Sequence, residues 1–296
     1  TKKANLFIVG AMRAGTTSFV ELLSKHPQIY VSPIKEPNYF VDRLPLTLYE
    51  PSRFFNLNRY LNSKFPDPLH IAKIETLAQY EQLFSLATHE VYRVDASTAY
   101  LHAPEAAANI ATYNSEAKVI VILRDPLQRA YSHYRMDLAL GRIHRSFDAI
   151  MRSEIAQYRS NELRFGSYLG MSCYAAHLKR FESLFGEQLL VLELRNLVNT
   201  TDIEMTRISN FLGISAFVNP ILQKMNKTKT IRFQKLLYLL KQLGFKDYFS
   251  KYFRKNFRQQ TFKKISKDRV SDMKLSEGTL LDLKGIFEKE SPVNYR

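Results

Sequence analysis

Asn5-Leu6-Phe7-Ile8-Val9-Gly10-Ala11-Met12-Arg13-Ala14-Gly15-Thr16-Thr17 joins a short apolar run to a loop holding two glycines and a pair of threonines. A short apolar run ending at glycine is the pattern of a parallel strand buried on both faces. From Thr16 to Lys25 the chain reads as a helix, stopped near His26-Pro27 because the residue before proline is pushed out of the helical region. The Gly10-x-x-x-x-Gly15 spacing between strand and helix is that of a phosphate loop, with Thr16 where the usual lysine would stand. Glycines let the backbone approach a phosphate closely. Amides at the helix N-terminus donate to it, and the helix dipole favours its charge. Arg13, inside the loop, can supply the missing cation. Without the lysine that reaches the β/γ-phosphates, a standard ATPase or GTPase is disfavoured.

Further strand candidates are Ile29 to Val31, Ala117 to Leu123 and Leu189 to Glu193. Asp125 and Pro126 can cap and open a helix after the second of these, running to about Leu140 with Gly141 as its stop. Helices are also expected at about 146–158, 172–185, 201–212 and 277–289, with Cys173 a small buried hydrophobe in the second. Prolines at 45, 51, 66 and 68 mark residues 42–70 as an irregular excursion with short helices. Strands alternating with helices predict an α/β fold: a P-loop-like central parallel sheet flanked by helices. The 296 residues are expected to form a single domain.

Arg124, at the end of the central strand, stands where ligands of open α/β sheets bind. Ser132 follows two helical turns later, and an arginine fork with a hydroxyl suits a terminal phosphate monoester. Single histidines such as His26, His133, His144 and His177 have no partners at metal-ligand spacing, so no metal site is expected.

Together the two phosphate motifs resemble the sulfotransferase family that uses 3′-phosphoadenosine 5′-phosphosulfate (PAPS). The resemblance implies the sulfotransferase fold and transfer of a sulfuryl group to an acceptor hydroxyl, leaving 3′,5′-ADP and needing no metal. It implies that Arg13, Ala14, Gly15, Thr16, Thr17 and Ser18 hold the 5′-phosphosulfate, and Arg124 with Ser132 the 3′-phosphate. Lys35-Glu36-Pro37-Asn38-Tyr39-Phe40 is similar to a segment of the heparan-sulfate branch and its bacterial relatives, in which the glutamate is the catalytic base. By that likeness Glu36 takes the proton from the attacking hydroxyl, with Lys35 a supplementary cation. Arg13 stands where the family usually carries lysine, which keeps charge stabilisation but not proton donation to the leaving group. Val94-Asp95-Ala96-Ser97-Thr98-Ala99-Tyr100 resembles the stretch that lines the acceptor pocket, pointing to Ser97 and Tyr100. Ala96 replaces the lysine of the heparan-type enzymes, which weighs against a highly sulfated acceptor. The same stretch also reads as strand and turn packing.

The composition, with 45% hydrophobic and 24% charged residues, excludes a disordered chain. Of the net +15, most lies between Lys224 and Lys264, where thirteen basic residues face one acid, Asp247. That concentration points to an anionic partner for this segment. Apolar residues at helical spacing there leave three readings open. It is a packed helix pair with a solvated face, a lid bringing Lys227, Lys229 or Arg232 to the 3′-phosphate or substrate, or an interfacial membrane contact. No nucleic-acid-binding signature accompanies the charge, so nucleic acid is not an expected partner. A single cysteine excludes an intrachain disulfide and suggests a reducing, cytoplasmic setting, with peripheral membrane contact through the basic segment. No run approaches the ~18 apolar residues of a membrane span, and no signal-peptide pattern is visible. Two other functions fit the same loop: a P-loop kinase of a small metabolite, and a nucleotide-binding, membrane-associated module without catalysis.

Overall fold

The computed structural model describes residues 2–223, 230–231, 266–267 and 273–290. Five parallel strands form the sheet: β1 Leu6–Gly10, β2 Ile29–Val31, β3 Tyr92–Asp95, β4 Lys118–Leu123 and β5 Leu189–Glu193, in the order β2-β3-β1-β4-β5. All five residues of β1 are buried, as are five of the six in β4. Their runs do not alternate because helices cover both faces of the sheet. Leu6 lies between Val94 of β3 and Lys118 of β4.

The order has a functional consequence. From β1 the chain goes outward to one side of the sheet through β2 and β3, then crosses to the other side for β4 and β5. The carboxyl ends of β1 and β4 therefore flank the crevice where ligands of such sheets bind. α1 Thr16–Leu23 follows β1 and α5 Pro126–Ala139 follows β4, so both helix N-termini open onto that crevice. The Asp125 side chain accepts from the Gln128 amide at 2.7 Å with Pro126 in the first turn, as the sequence predicts.

Between these lie α2 Leu57–Ser63, α3 Leu77–Gln82 and α4 Ala106–Tyr113; α6 Phe147–Arg159 and α7 Ala175–Phe185 follow α5. After β5 come α8 Leu194–Asn199 and α9 Thr201–Leu212. A second apolar cluster, including Ala130, Tyr134, Phe147, Met151 and Leu283, packs α5 and α6 against the last described helix, Glu277–Lys289. No helix among the described residues is long and apolar enough to cross a membrane.

The structure adds to or departs from the sequence reading in five elements. The short helices α3, α4 and α8 are not marked by hydrophobic period, although Thr76 and Gln79 form a full capping box at the start of α3. The strand of the Val94 stretch ends at Asp95. The helix expected from Ser172 begins at Ala175, because Gly170–Ser172 is a 3₁₀ turn whose serine is engaged elsewhere; Cys173 is buried between the two rather than within a helix.

Gly10 permits a close crossing at the edge of the sheet. A Cβ there would stand 2.7 Å from the Cβ of Leu101, whose amide donates to the Val9 carbonyl at 2.8 Å. With Leu101 held in place, Gly10→Ala is expected to lower stability by about 2 kcal/mol in urea denaturation through overpacking. A neutral effect would show that the 98–101 segment is free to shift.

Candidate active site

The loop after β1 is held from both sides. The Ala11 amide donates to the Ile122 carbonyl of β4 at 2.7 Å, and the Ala14 amide turns back to the Ala11 carbonyl at 3.0 Å. Gly15 caps α1 with φ +80°, a left-handed conformation that glycine adopts without penalty. The first amides of the helix have no partner within it, so those of Thr16 and Thr17 are directed at the crevice. Ala14 and Thr16 are buried, so what they offer a ligand is backbone; Thr17 and Ser18 are half-buried.

Arg13 is also left-handed, at φ +71°, which is costly for a residue with a side chain. Its guanidinium leaves the loop and crosses to α5, where Nε donates to Ser132 Oγ at 3.1 Å. Arg124 Nη1 in turn donates to the Arg13 carbonyl at 3.1 Å. The two motifs read separately from the sequence thus meet in one place. Burial first, and then the charge of Arg124, lowers the pKa of Arg13; burial also lowers that of Arg124. Two crowded guanidiniums at the N-termini of two helices make a site complementary to a multiply charged anion.

Glu36 lies at the carboxyl ends of β2 and β3, on the same edge. Its segment pairs with residues 69–74 on one side: the Lys35 amide donates to Leu69 at 2.9 Å and the Ala72 amide to the Glu36 carbonyl at 3.1 Å. On the other side its own amide donates to the Ala96 carbonyl at 2.9 Å. Glu36 and Asn38 both have positive φ, at +67° and +53°, so the turn is held by these bonds against local preference. The carboxylate, in a residue only 8% exposed, accepts from the Thr98 amide at 2.7 Å, from the Thr98 hydroxyl at 3.0 Å and from Lys35 Nζ at 2.6 Å. A carboxylate has roughly four lone-pair sites. Three donors therefore orient it and leave capacity for one more proton.

Ser97 and Tyr100 do not line an acceptor pocket. Both are 0% exposed, and their hydroxyls donate to Asp95 at 2.7 and 2.8 Å. Tyr80 adds a third hydroxyl at 2.7 Å. Ser97 Oγ also accepts the Asn38 amide at 3.0 Å, and Asn38 Nδ2 donates to the Glu36 carbonyl at 2.7 Å. The pair is thus the internal support of the Glu36 turn. Within that stretch the residue facing Glu36 is Thr98. His70, which has no signal in the sequence, is brought beside Lys35 and Glu36 by the pairing of residues 69–74; it keeps an exposed edge, while partial desolvation of its ring and the Lys35 charge lower its pKa against the opposing effect of Glu36. Lys227 and Arg232 lie outside the described residues, as does most of the basic segment 224–264.

Burial raises the Asp95 pKa to about 6, against the opposing effect of its hydroxyl donors. An acid raised on folding binds its proton more tightly in the native state. Its contribution to stability is therefore complete below the unfolded value of 3.8 and lost as pH rises through about 6. In thermal denaturation, the stability of the wild type relative to Asp95→Asn is expected to fall between about pH 4 and 6 and level off above. A difference independent of pH would mean that Asp95 does not titrate there.

Residues 5–218 match the sequence model described as the sulfotransferase family. The mouse bifunctional heparan sulfate N-deacetylase/N-sulfotransferase 4 is 28% identical over 224 residues, covering 72% of this chain and 22% of that protein. Human heparan sulfate glucosamine 3-O-sulfotransferase 3B1 is 24% identical over 224 residues, covering 75% and 49%. The chain thus spans about a fifth to a half of the length of these curated relatives. Among solved structures, a sulfotransferase from Alicyclobacillus acidocaldarius superposes with a TM-score of 0.60 at 28% identity, over 77% of this chain and 87% of that one. Mouse sulfotransferase SULT7A1, solved in complex with PAP, shares the fold at 13% identity, with a TM-score of 0.51 over 100% of this chain and 87% of that one.

Proposed function

Because this chain belongs to the sulfotransferase family, we propose that it transfers the sulfuryl group of PAPS to an acceptor hydroxyl by in-line displacement. The observation that carries this reading is the convergence of Arg13, Arg124 and Ser132 beside the amides that open α1. Two partly desolvated guanidiniums at a helix N-terminus fit a nucleotide bearing phosphate at both its 3′ and 5′ positions. PAPS supplies the sulfuryl group and departs as 3′,5′-ADP.

The amides of Gly15, Thr16 and Thr17 hold the 5′ end, and Arg124 with Ser132 holds the 3′-phosphate. Arg13, lying between them, neutralises charge at both ends and stays protonated throughout. Glu36 takes the proton of the acceptor hydroxyl on its carboxylate, which Thr98 and Lys35 keep oriented. Lys35 balances the carboxylate charge. His70, open to solvent beside the pair, borders the acceptor side. Ala96 is buried and adds no cation there, so the acceptor is a hydroxyl compound that need not be sulfated already. A cytoplasmic location fits its one cysteine, which suits a reducing compartment.

Calorimetric titration tests the nucleotide site, with 3′,5′-ADP as ligand and 5′-AMP and ATP as controls. Selective binding of 3′,5′-ADP without Mg²⁺ is expected, and Arg124→Ala should remove the preference for the 3′-phosphate. Mg²⁺-dependent preference for ATP would turn the reading to a kinase. Glu36→Gln is expected to slow 3′,5′-ADP release from PAPS, over a panel of hydroxyl acceptors, by at least ~10² while leaving 3′,5′-ADP affinity nearly unchanged. Lost nucleotide affinity in that variant would make Glu36 a structural residue.

A further inference from the structure

Arg129 is on α5, one turn beyond Arg124, and is 0% exposed. Its Nε donates to Ser172 Oγ at 2.6 Å, its Nη2 to the Tyr168 carbonyl at 2.7 Å, and its Nη1 reaches the Met12 carbonyl in the phosphate loop at 3.5 Å. Every one of these partners is neutral. Among the described residues no carboxylate forms an ion pair with it. Glu154, the carboxylate whose field reaches it, uses its two oxygens for the Tyr168 and Leu169 amides at 3.1 and 2.6 Å. His102 and His133 nearby are kept uncharged, chiefly by burial and further by the surrounding cations, Arg129 among them. Arg129 itself is drawn down by burial only to about 10, so it carries its charge at neutral pH.

A buried guanidinium whose hydrogen-bond partners are all neutral is costly, because those bonds replace part of its hydration and Glu154 offsets the rest only through its field, without an ion pair. Further compensation lies next to it, at the loop whose Met12 carbonyl it reaches. We infer that Arg129 is a third cation of the phosphate site, acting through the Met12 turn on the bound nucleotide's phosphates by its field rather than by contact. This rests on the nucleotide site proposed above. The fork positions the underside of the loop, and the charge adds attraction through a dry interior. Salt screens exposed charges strongly but buried ones far less, which separates Arg129 from a surface cation.

The test is titration with 3′,5′-ADP at low (~50 mM) and high (~500 mM) salt, using wild type, Arg129→Gln and Arg129→Lys. Glutamine keeps an N–H donor and removes the charge; lysine keeps the charge and loses the fork. Arg129→Gln is expected to bind about tenfold or more weakly at both salts, with Arg129→Lys within about threefold of wild type. Arg129→Met is the second neutral variant should the glutamine protein not fold. Unchanged affinity in the neutral variants, a loss that disappears at high salt, or an equal loss in Arg129→Lys would overturn the inference, the last by making Arg129 a structural fork. Failure of the wild type to bind 3′,5′-ADP would instead remove the nucleotide site itself.

Discussion

The site depends on the pairing of β1 with β4 at their carboxyl ends, where the Ala11 amide reaches the Ile122 carbonyl. That bond holds the phosphate loop against the strand that delivers Arg124, so two motifs about 110 residues apart in sequence share one crevice. The bond is buried between parallel strands, where no water competes for it. On the other flank, Leu101 crosses Gly10 and pairs with Val9, tying the Thr98 segment to the same edge. Arg13, Arg124 and the Glu36 turn are thereby positioned by neighbouring strands.

Electrostatically the edge is divided. On the β4 side Arg13, Arg124 and Arg129 gather positive charge, with Asp137, Asp125 and Glu154 acting on them at longer range. On the β2–β3 side two carboxylates are treated differently. Asp95 is sealed behind three hydroxyls, whereas Glu36 is paired with Lys35. Burial makes each charge more expensive and also makes its interaction with a ligand stronger, since both follow from low dielectric.

The phosphate loop and the Arg124–Asp125–Pro126 turn were legible in the sequence because they obey local rules. Glycine spacing, a helix cap and proline in a first turn act within a few residues. Ser97 and Tyr100 were misread because a hydroxyl can point either way, and only the arrival of Asp95 and Tyr80 at the same spot buries it. Thr98 and Arg129 stand inside motifs visible in the sequence without showing their roles, and His70 left no mark, since each has its role through a partner brought in by strand or loop pairing: Thr98 meets Glu36 across 62 positions, and Arg129 meets Ser172 across 43.

By itself the sequence determined the alternation of strands and helices, the parallel sheet, and the two motifs proposed to hold phosphate, because backbone preference and burial period are properties of short stretches. Only the tertiary structure decided that Arg13 reaches Ser132, that Glu36 is oriented by Thr98 and Lys35, and that Arg129 lies charged beneath the loop. Those outcomes depend on which distant segments pack together, and on the dielectric that packing creates.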